Sequence, residues 1–181
     1  MCIRDRYHIV VVWDSTNGTP ADRFRLWING VRETSFSTSS NPGSSEGSAL
    51  LQTAAPATLA LGKQPVADSQ YFDGVMAHAH LTDGYAYDAS SFGEADSTSG
   101  IWIAKSGPSV TYGTNGFFLK FASGALGTDS SGEGNNMTVS GTMTNTKDTP
   151  DNNFATMNPL DNYYQSATFS NGNNTVLTDT S

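Results

Sequence analysis

Four stretches of the chain carry side chains whose types and spacing could do chemistry. His78 and His80 stand two residues apart. On an extended backbone alternate side chains share a face, so two imidazoles at this spacing could grip a metal if a third ligand joined them. The sequence assigns no third ligand, and the competing reading is a solvent-facing or hydrogen-bonded strand face. Asp129 and Glu133 lie in Thr128-Asp129-Ser130-Ser131-Gly132-Glu133-Gly134-Asn135-Asn136, a Gly-rich loop dense in oxygen donors. A hard cation such as calcium could use it, although the loop lacks the Asp-x-Asp-x-Asp-Gly pattern and distant Glu of an EF-hand, and otherwise reads as a tight turn. Asp83, Tyr85 and Tyr87 form the third group. Aromatic rings stack on sugar faces and carboxylates accept sugar hydroxyls, which makes these three the carbohydrate-contact candidates; the alternative is that the tyrosines pack their loop against a sheet edge. The fourth is Glu94-Ala95-Asp96, set among Ser, Thr and Gly, which reads as loop. Nucleophile contexts such as a Gly-x-Ser-x-Gly elbow are missing, and no Gly-rich phosphate loop follows a strand.

The elements that must position these groups read as strands. Phe24, Leu26 and Ile28 alternate with Arg23, Arg25 and Trp27, a period of two that predicts a strand with Phe24, Leu26 and Ile28 on its buried face. Asn29-Gly30 supplies two residues that tolerate positive φ, so Val31–Phe36 is expected to return antiparallel through a type I′ turn. Ile9–Trp13 is apolar on both faces, as a central strand covered on both sides would be. Further strands are expected at 58–62, at 71–81 with a bulge at Asp73-Gly74, at 101–103 and at 117–121, and a single helical turn capped by Asp88 and stopped by Gly93. Residues 36–57 read as a polar loop with a short apolar run at Ala49-Leu50-Leu51; a loop of that length either binds something or is mobile. Trp13, Trp27 and Trp102 read as core or sheet-face residues.

Composition narrows the functional classes. The chain has 181 residues, of which 14% are charged, and a formal net charge of −8. That balance removes the cationic term behind nucleic-acid affinity and attraction to anionic lipid. No apolar stretch reaches the roughly 20 residues needed to span a bilayer, so membrane insertion is not expected. Cys2 is the single cysteine, so no internal disulfide holds the fold.

Tyr7-His8-Ile9-Val10-Val11-Val12-Trp13-Asp14 followed by Phe24-Arg25-Leu26-Trp27-Ile28-Asn29-Gly30-Val31 resembles the signature of laminin G-like, concanavalin A-like sandwich domains. Phe72–Gly84, Ser91–Glu94, Gly100–Ile103 and Asp148–Thr156 resemble runs in virion structural and tail-fibre-like proteins of marine bacteriophages. The resemblance implies an all-β chain, an antiparallel β sandwich of the concanavalin A-like jelly-roll type, truncated at its N-terminus. It divides the chain into Met1–Arg6, which looks like translated sequencing adapter; a partial sandwich over 7–126; a turn-rich closing segment and linker over 127–150; and the start of a second, truncated domain over 151–181. In function it implies a non-catalytic virion structural module, located in the virion, with other virion subunits as partners and host-surface glycan as a contact. An extracellular lectin-like adhesion domain is the alternative. The family carries an acidic residue at the position of His78, so the histidine pair reads as a substitution rather than a metal site. Glycosidases on this fold use Glu-x-Asp-x-x-Glu; Glu94 and Asp96 begin that pattern, but Ser99 stands where the second Glu belongs, so no enzyme is expected. The loop at Asp129 is similar to an Asp-Ser-Ser-Gly-Asn-Gly-Asn turn of these domains.

Overall fold

The computed structural model describes residues 6–46, 59–63, 71–145, 167–170 and 175–178. They form nine short strands and two 3₁₀ turns. Among the described residues no helix is long and apolar enough to cross a membrane. An all-β chain is what a sequence rich in Gly, Ser and Thr, with only short apolar runs, dictates.

Strands β1 (Ile9–Trp13), β2 (Phe24–Ile28) and β3 (Val31–Glu33) make one antiparallel sheet in the order β1-β2-β3. The β2–β3 connection is the two-residue turn expected of Asn29-Gly30: both take positive φ, at 49° and 79°. The Asn29 side chain ties this turn to the start of β1, accepting from the His8 N–H at 2.8 Å while the Asn29 N–H donates to the His8 carbonyl at 2.8 Å. β3 stops at Glu33 rather than at Phe36.

The facing of β2 reverses the sequence expectation. Trp27 is buried, Phe24 and Leu26 are half-buried, and Ile28 is exposed. The register explains this: Val10 pairs with Trp27 and Val12 with Arg25, so the buried valines of β1 share their face with Trp27. Both faces of β2 carry large apolar side chains, so alternation alone could not choose between them. Arg25 is accommodated on the inner face because its guanidinium lies 5.7 Å from the Trp27 ring and 3.7 Å from the Asp14 carboxylate. The sequence reading places β1 at the centre of a sheet. Among the described residues it is an edge strand with one open face, on which Ile9 is 61% exposed.

Four further strands form two antiparallel pairs. β4 (Ala79–Leu81) pairs with β7 (Phe117–Leu119), and β5 (Gly93–Ala95) pairs with β6 (Trp102–Ala104). The stretch 71–78 is not strand, because His78 adopts φ of 54°, which breaks the extended run before Ala79. The stretch 59–63 bends, with Gly62 at φ of 81°. Glu94 and Ala95, read as loop, belong to β5. The helical turn expected after Asp88 is present as the 3₁₀ turn Ala89–Ser91, with the Asp88 carboxylate accepting from the Ser90 N–H at 3.0 Å. β8 (Ala167–Ser170) and β9 (Thr175–Thr178) form a separate antiparallel pair. The apolar run at Ala49-Leu50-Leu51 and the linker at Asp148-Thr149-Pro150 lie outside the described residues.

One cluster joins the first sheet to the rest: Val10, Val12 and Trp27 pack with Ala89 and Phe92, flanked by Tyr87, Trp102 and Val110. Truncating a buried Trp to Ala costs roughly 3–5 kcal/mol, whereas an exposed substitution stays within about 0.5 kcal/mol. Trp27→Ala should therefore unfold at much lower urea concentration, and Ile28→Thr should unfold with the parent. Equal losses in the two variants would mean that both faces of β2 are covered.

Candidate functional site

β4 and β7 place an aromatic and imidazole layer beside this core. His80 pairs with Phe118 across the ladder, its ring stacked on the Phe118 ring with centroids 4.1 Å apart. Phe92 and Tyr112 flank it at 5.3 and 6.1 Å. His80 Nδ1 and the Tyr112 hydroxyl form a 2.9 Å hydrogen bond. Desolvation, then the charges of His78 and His8, push the His80 pKa down to about 4. Burial, with a smaller contribution from the Asp129 carboxylate, pushes the Tyr112 hydroxyl up to about 12. Burial also lowers the pKa of His8, whose Nδ1 accepts from the Trp102 indole at 3.1 Å. All three histidines of the chain thus gather in one region. His8 was invisible as a member, since it is brought there beside Trp102, 94 residues away in the sequence.

His78 and His80 do not share a strand face. Only His80 lies on β4, while His78 precedes it in the left-handed region, and their rings meet edge-on at 6.1 Å. Among the described residues no group of three His, Cys, Asp or Glu side chains is arranged to hold a metal. The layer is a packed, hydrogen-bonded core that keeps His80 neutral.

Asp129 is the hub of the loop after β7. Its Oδ1 accepts from the Phe118 and Ser131 N–H groups, both at 2.8 Å. Its Oδ2 accepts from the Ser131 hydroxyl at 2.8 Å and the Asn135 N–H at 2.9 Å. Asn135 in turn donates to the carbonyls of Thr114 and Gly116 at 2.9 and 2.8 Å. Burial acts to raise the Asp129 pKa, but these donors outweigh it and hold the carboxyl below the usual range. Glu133 is exposed, and its N–H donates to the Ser131 hydroxyl at 3.2 Å. The calcium expectation for Asp129 and Glu133 finds the Asp129 oxygens already engaged by protein donors, an arrangement that closes a turn without a cation. Asp96 plays a similar part: its Oδ1 accepts from the N–H groups of Thr98 and Ser99 and from the Ser99 hydroxyl, closing the β5–β6 connection.

The structure brings Asp83, Tyr85 and Tyr87 together but divides their roles. Tyr85 is 49% exposed, and its ring stacks on Tyr87 with centroids 5.9 Å apart and planes 18° apart. Tyr87 is half-buried against the core cluster, edge-on to Phe92, and its hydroxyl accepts from the Thr111 N–H at 3.0 Å. Asp83 is held from two sides: its N–H donates to the Tyr112 carbonyl at 2.7 Å and its Oδ2 accepts from the Asn115 amide at 2.7 Å. Gly113 permits this approach, since a Cβ there would lie 2.1 Å from the Asp83 carbonyl oxygen. Tyr85 is therefore an exposed ring on a fixed support, with a carboxylate and an amide on the same loops.

No family model, no curated protein and no solved structure matches the chain.

Two outcomes test these assignments. The folded His80 pKa lies below its unfolded value near 6.5, so the unfolded chain binds more protons between pH 6.5 and 4. Stability should accordingly fall as pH drops through that window, by at most about 3 kcal/mol from this group. His80→Phe should flatten the pH slope of urea midpoints there, and an unchanged slope would assign the acid sensitivity elsewhere. Separately, Asp129→Ala strands part-buried N–H groups and should cost about 1–3 kcal/mol, whereas calcium chelation should leave the melting temperature of the parent protein in place. A melt that rises with added calcium would restore the cation reading.

Proposed function

We propose that the chain is a non-catalytic structural module of a virion appendage, an antiparallel β sandwich of the concanavalin A-like type whose loops contact host-surface carbohydrate. The support for the virion setting and the jelly-roll topology is the sequence resemblance at 7–31 and in the later segments. The strand, Asn-Gly turn, strand arrangement that carries its first part is present as β1, β2 and β3. The observation that carries the carbohydrate reading is the Tyr85 ring, exposed and stacked on a Tyr87 ring that is itself fixed by Phe92 and the Thr111 N–H. A ring held in place loses little conformational freedom on binding, and Asp83 and Asn115 offer polar atoms beside it.

A single shallow contact of this kind binds at about the millimolar end of the scale and gains strength by repetition along a fibre. Displayed multivalently on a glycan array, the protein should give a signal that Tyr85→Ala removes at unchanged melting temperature. Tyr87→Ala should lose both signal and stability, because its ring packs against the core. Silence of the intact multivalent protein on every host glycan would make the module a spacer and end the carbohydrate reading.

A further inference from the structure

The face of the first sheet that turns away from Val10, Val12 and Trp27 is not featureless. Trp13 and Phe24, paired across β1 and β2, and Phe36 beyond β3 line a groove of about 470 Å³ whose other side is formed by Ser39, Ser40 and Asn41. Phe24 and Phe36 rings meet at 6.5 Å, so the aromatic side is a continuous surface. The loop that forms the polar side is fastened to the sheet. Arg23 donates through Nη1 to the Pro42 carbonyl and through Nε to the Asn17 carbonyl, both at 2.9 Å, and Pro42 is buried. The Ser45 N–H donates to the Ser15 carbonyl at 2.9 Å.

Two charged side chains line the groove, and both are engaged within the protein. Arg32 donates from Nη2 to Asp22 Oδ1 at 2.5 Å and to the Ala21 carbonyl at 3.3 Å. Glu33 accepts through Oε1 from the Ser35 N–H at 2.6 Å. With Asp22 paired to Arg32 and the Glu33 carboxylate alongside, the groove carries no net positive charge to hold an anion. A wholly apolar ligand would use the aromatic side alone and leave the exposed hydroxyls and amide of Ser39, Ser40 and Asn41 to solvent. A neutral polyhydroxylated ligand meets both sides: its C–H face lies on the rings and its hydroxyls exchange hydrogen bonds with neutral donors and acceptors. The volume falls in the range of roughly 300–1,000 Å³ typical of small-molecule sites.

We infer that this groove is a second carbohydrate site, for a neutral mono- or disaccharide unit. It is distinct from Tyr85 and lies on the opposite face of the first sheet from the core that Tyr87 packs against. It shares only its ligand class with the Tyr85 reading and stands on separate residues.

The test is a titration of the full chain with lactose, maltose, cellobiose and N,N′-diacetylchitobiose, followed through the Trp13 indole N–H resonance, with 3′-sialyllactose and an anilinonaphthalene sulfonate dye as the anionic and apolar probes. At least one neutral disaccharide should shift the Trp13 signal saturably in the millimolar range. Phe36→Ala and Asn41→Ala should each weaken that binding tenfold or more, while Tyr85→Ala leaves it in place. Both substituted residues are exposed, so the melting temperature reports whether either variant has lost its fold. The inference is overturned if none of the four sugars shifts Trp13, if the anionic or apolar probe binds instead, or if both groove variants bind like the parent protein. Loss of the Trp13 shift in Tyr85→Ala alone would also overturn it and transfer the binding to the first site.

Discussion

Trp102 is the wedge on which the arrangement of the first sheet and the β5–β6 pair depends. Its indole lies so close to Gly30 and Gly93 that a Cβ at either would fall 2.3 and 2.6 Å from its atoms, respectively. Its N–H reaches across 94 residues of sequence to His8. Gly30 is thus required twice, once for the positive φ of the β2–β3 turn and once for the absence of a side chain beneath the indole. A contact of such long sequence separation must form against the entropy of closing the chain between. It does so because one ring fills space at the hairpin turn, at the start of β5 and beside the core cluster together.

Around that wedge the core is built more from rings than from branched aliphatics. Val10, Val12, Ala89 and Val110 are the aliphatic part of the first cluster, and Trp27, Phe92, Tyr87 and Trp102 supply the larger side chains. The neighbouring layer gathers His80, Phe118 and Tyr112, with ring centroids 4.1, 6.1 and 6.2 Å apart. Polar atoms on these rings find partners in fixed positions: Trp102 with His8, His80 with Tyr112, Tyr87 with the Thr111 amide. Such pairs define a unique packing that a core of interchangeable aliphatics would not, at the cost of keeping titratable groups in a poorly solvated place. Asp129 extends the same logic to the loop, converting one carboxylate into four hydrogen bonds that fasten 128–136 to β7.

The sequence was most legible where local chemistry is decisive. Asn29-Gly30 allows one kind of turn, Asp88 caps the turn that follows it, and the β2–β3 pairing follows from the first of these. It was illegible where the answer lies in a partner strand. The identity of the buried face of β2 depends on Val10 and Val12 standing opposite Trp27 and Arg25, and Phe24-Arg25-Leu26-Trp27-Ile28 by itself carries apolar groups on both sides. The end of the extended run before β4 was hidden because nothing in the residue type of His78 requires a left-handed backbone. Of the site residues, Tyr85 was readable from its loop setting, while the split between an exposed Tyr85 and a packed Tyr87 depends on Phe92 and Thr111, distant in the chain. The groove of Trp13, Phe24 and Phe36 could not be read at all, since it needs the outward facing of β2 that alternation assigned to the core.

The two borders of the first sheet differ in a way that bears on how copies of the chain could join. β3 is three residues long and carries Arg32 and Glu33, and a short, charged border repels a further strand. Among the described residues no strand lies beyond β1, whose five residues are all apolar. Among the described residues, one border of this sheet is therefore free of a neighbouring strand and the other is short and charged. Two copies meeting through β1 would close on themselves as a symmetric pair with a β3 at each end, whereas indefinite head-to-tail growth would need the short, charged border as well.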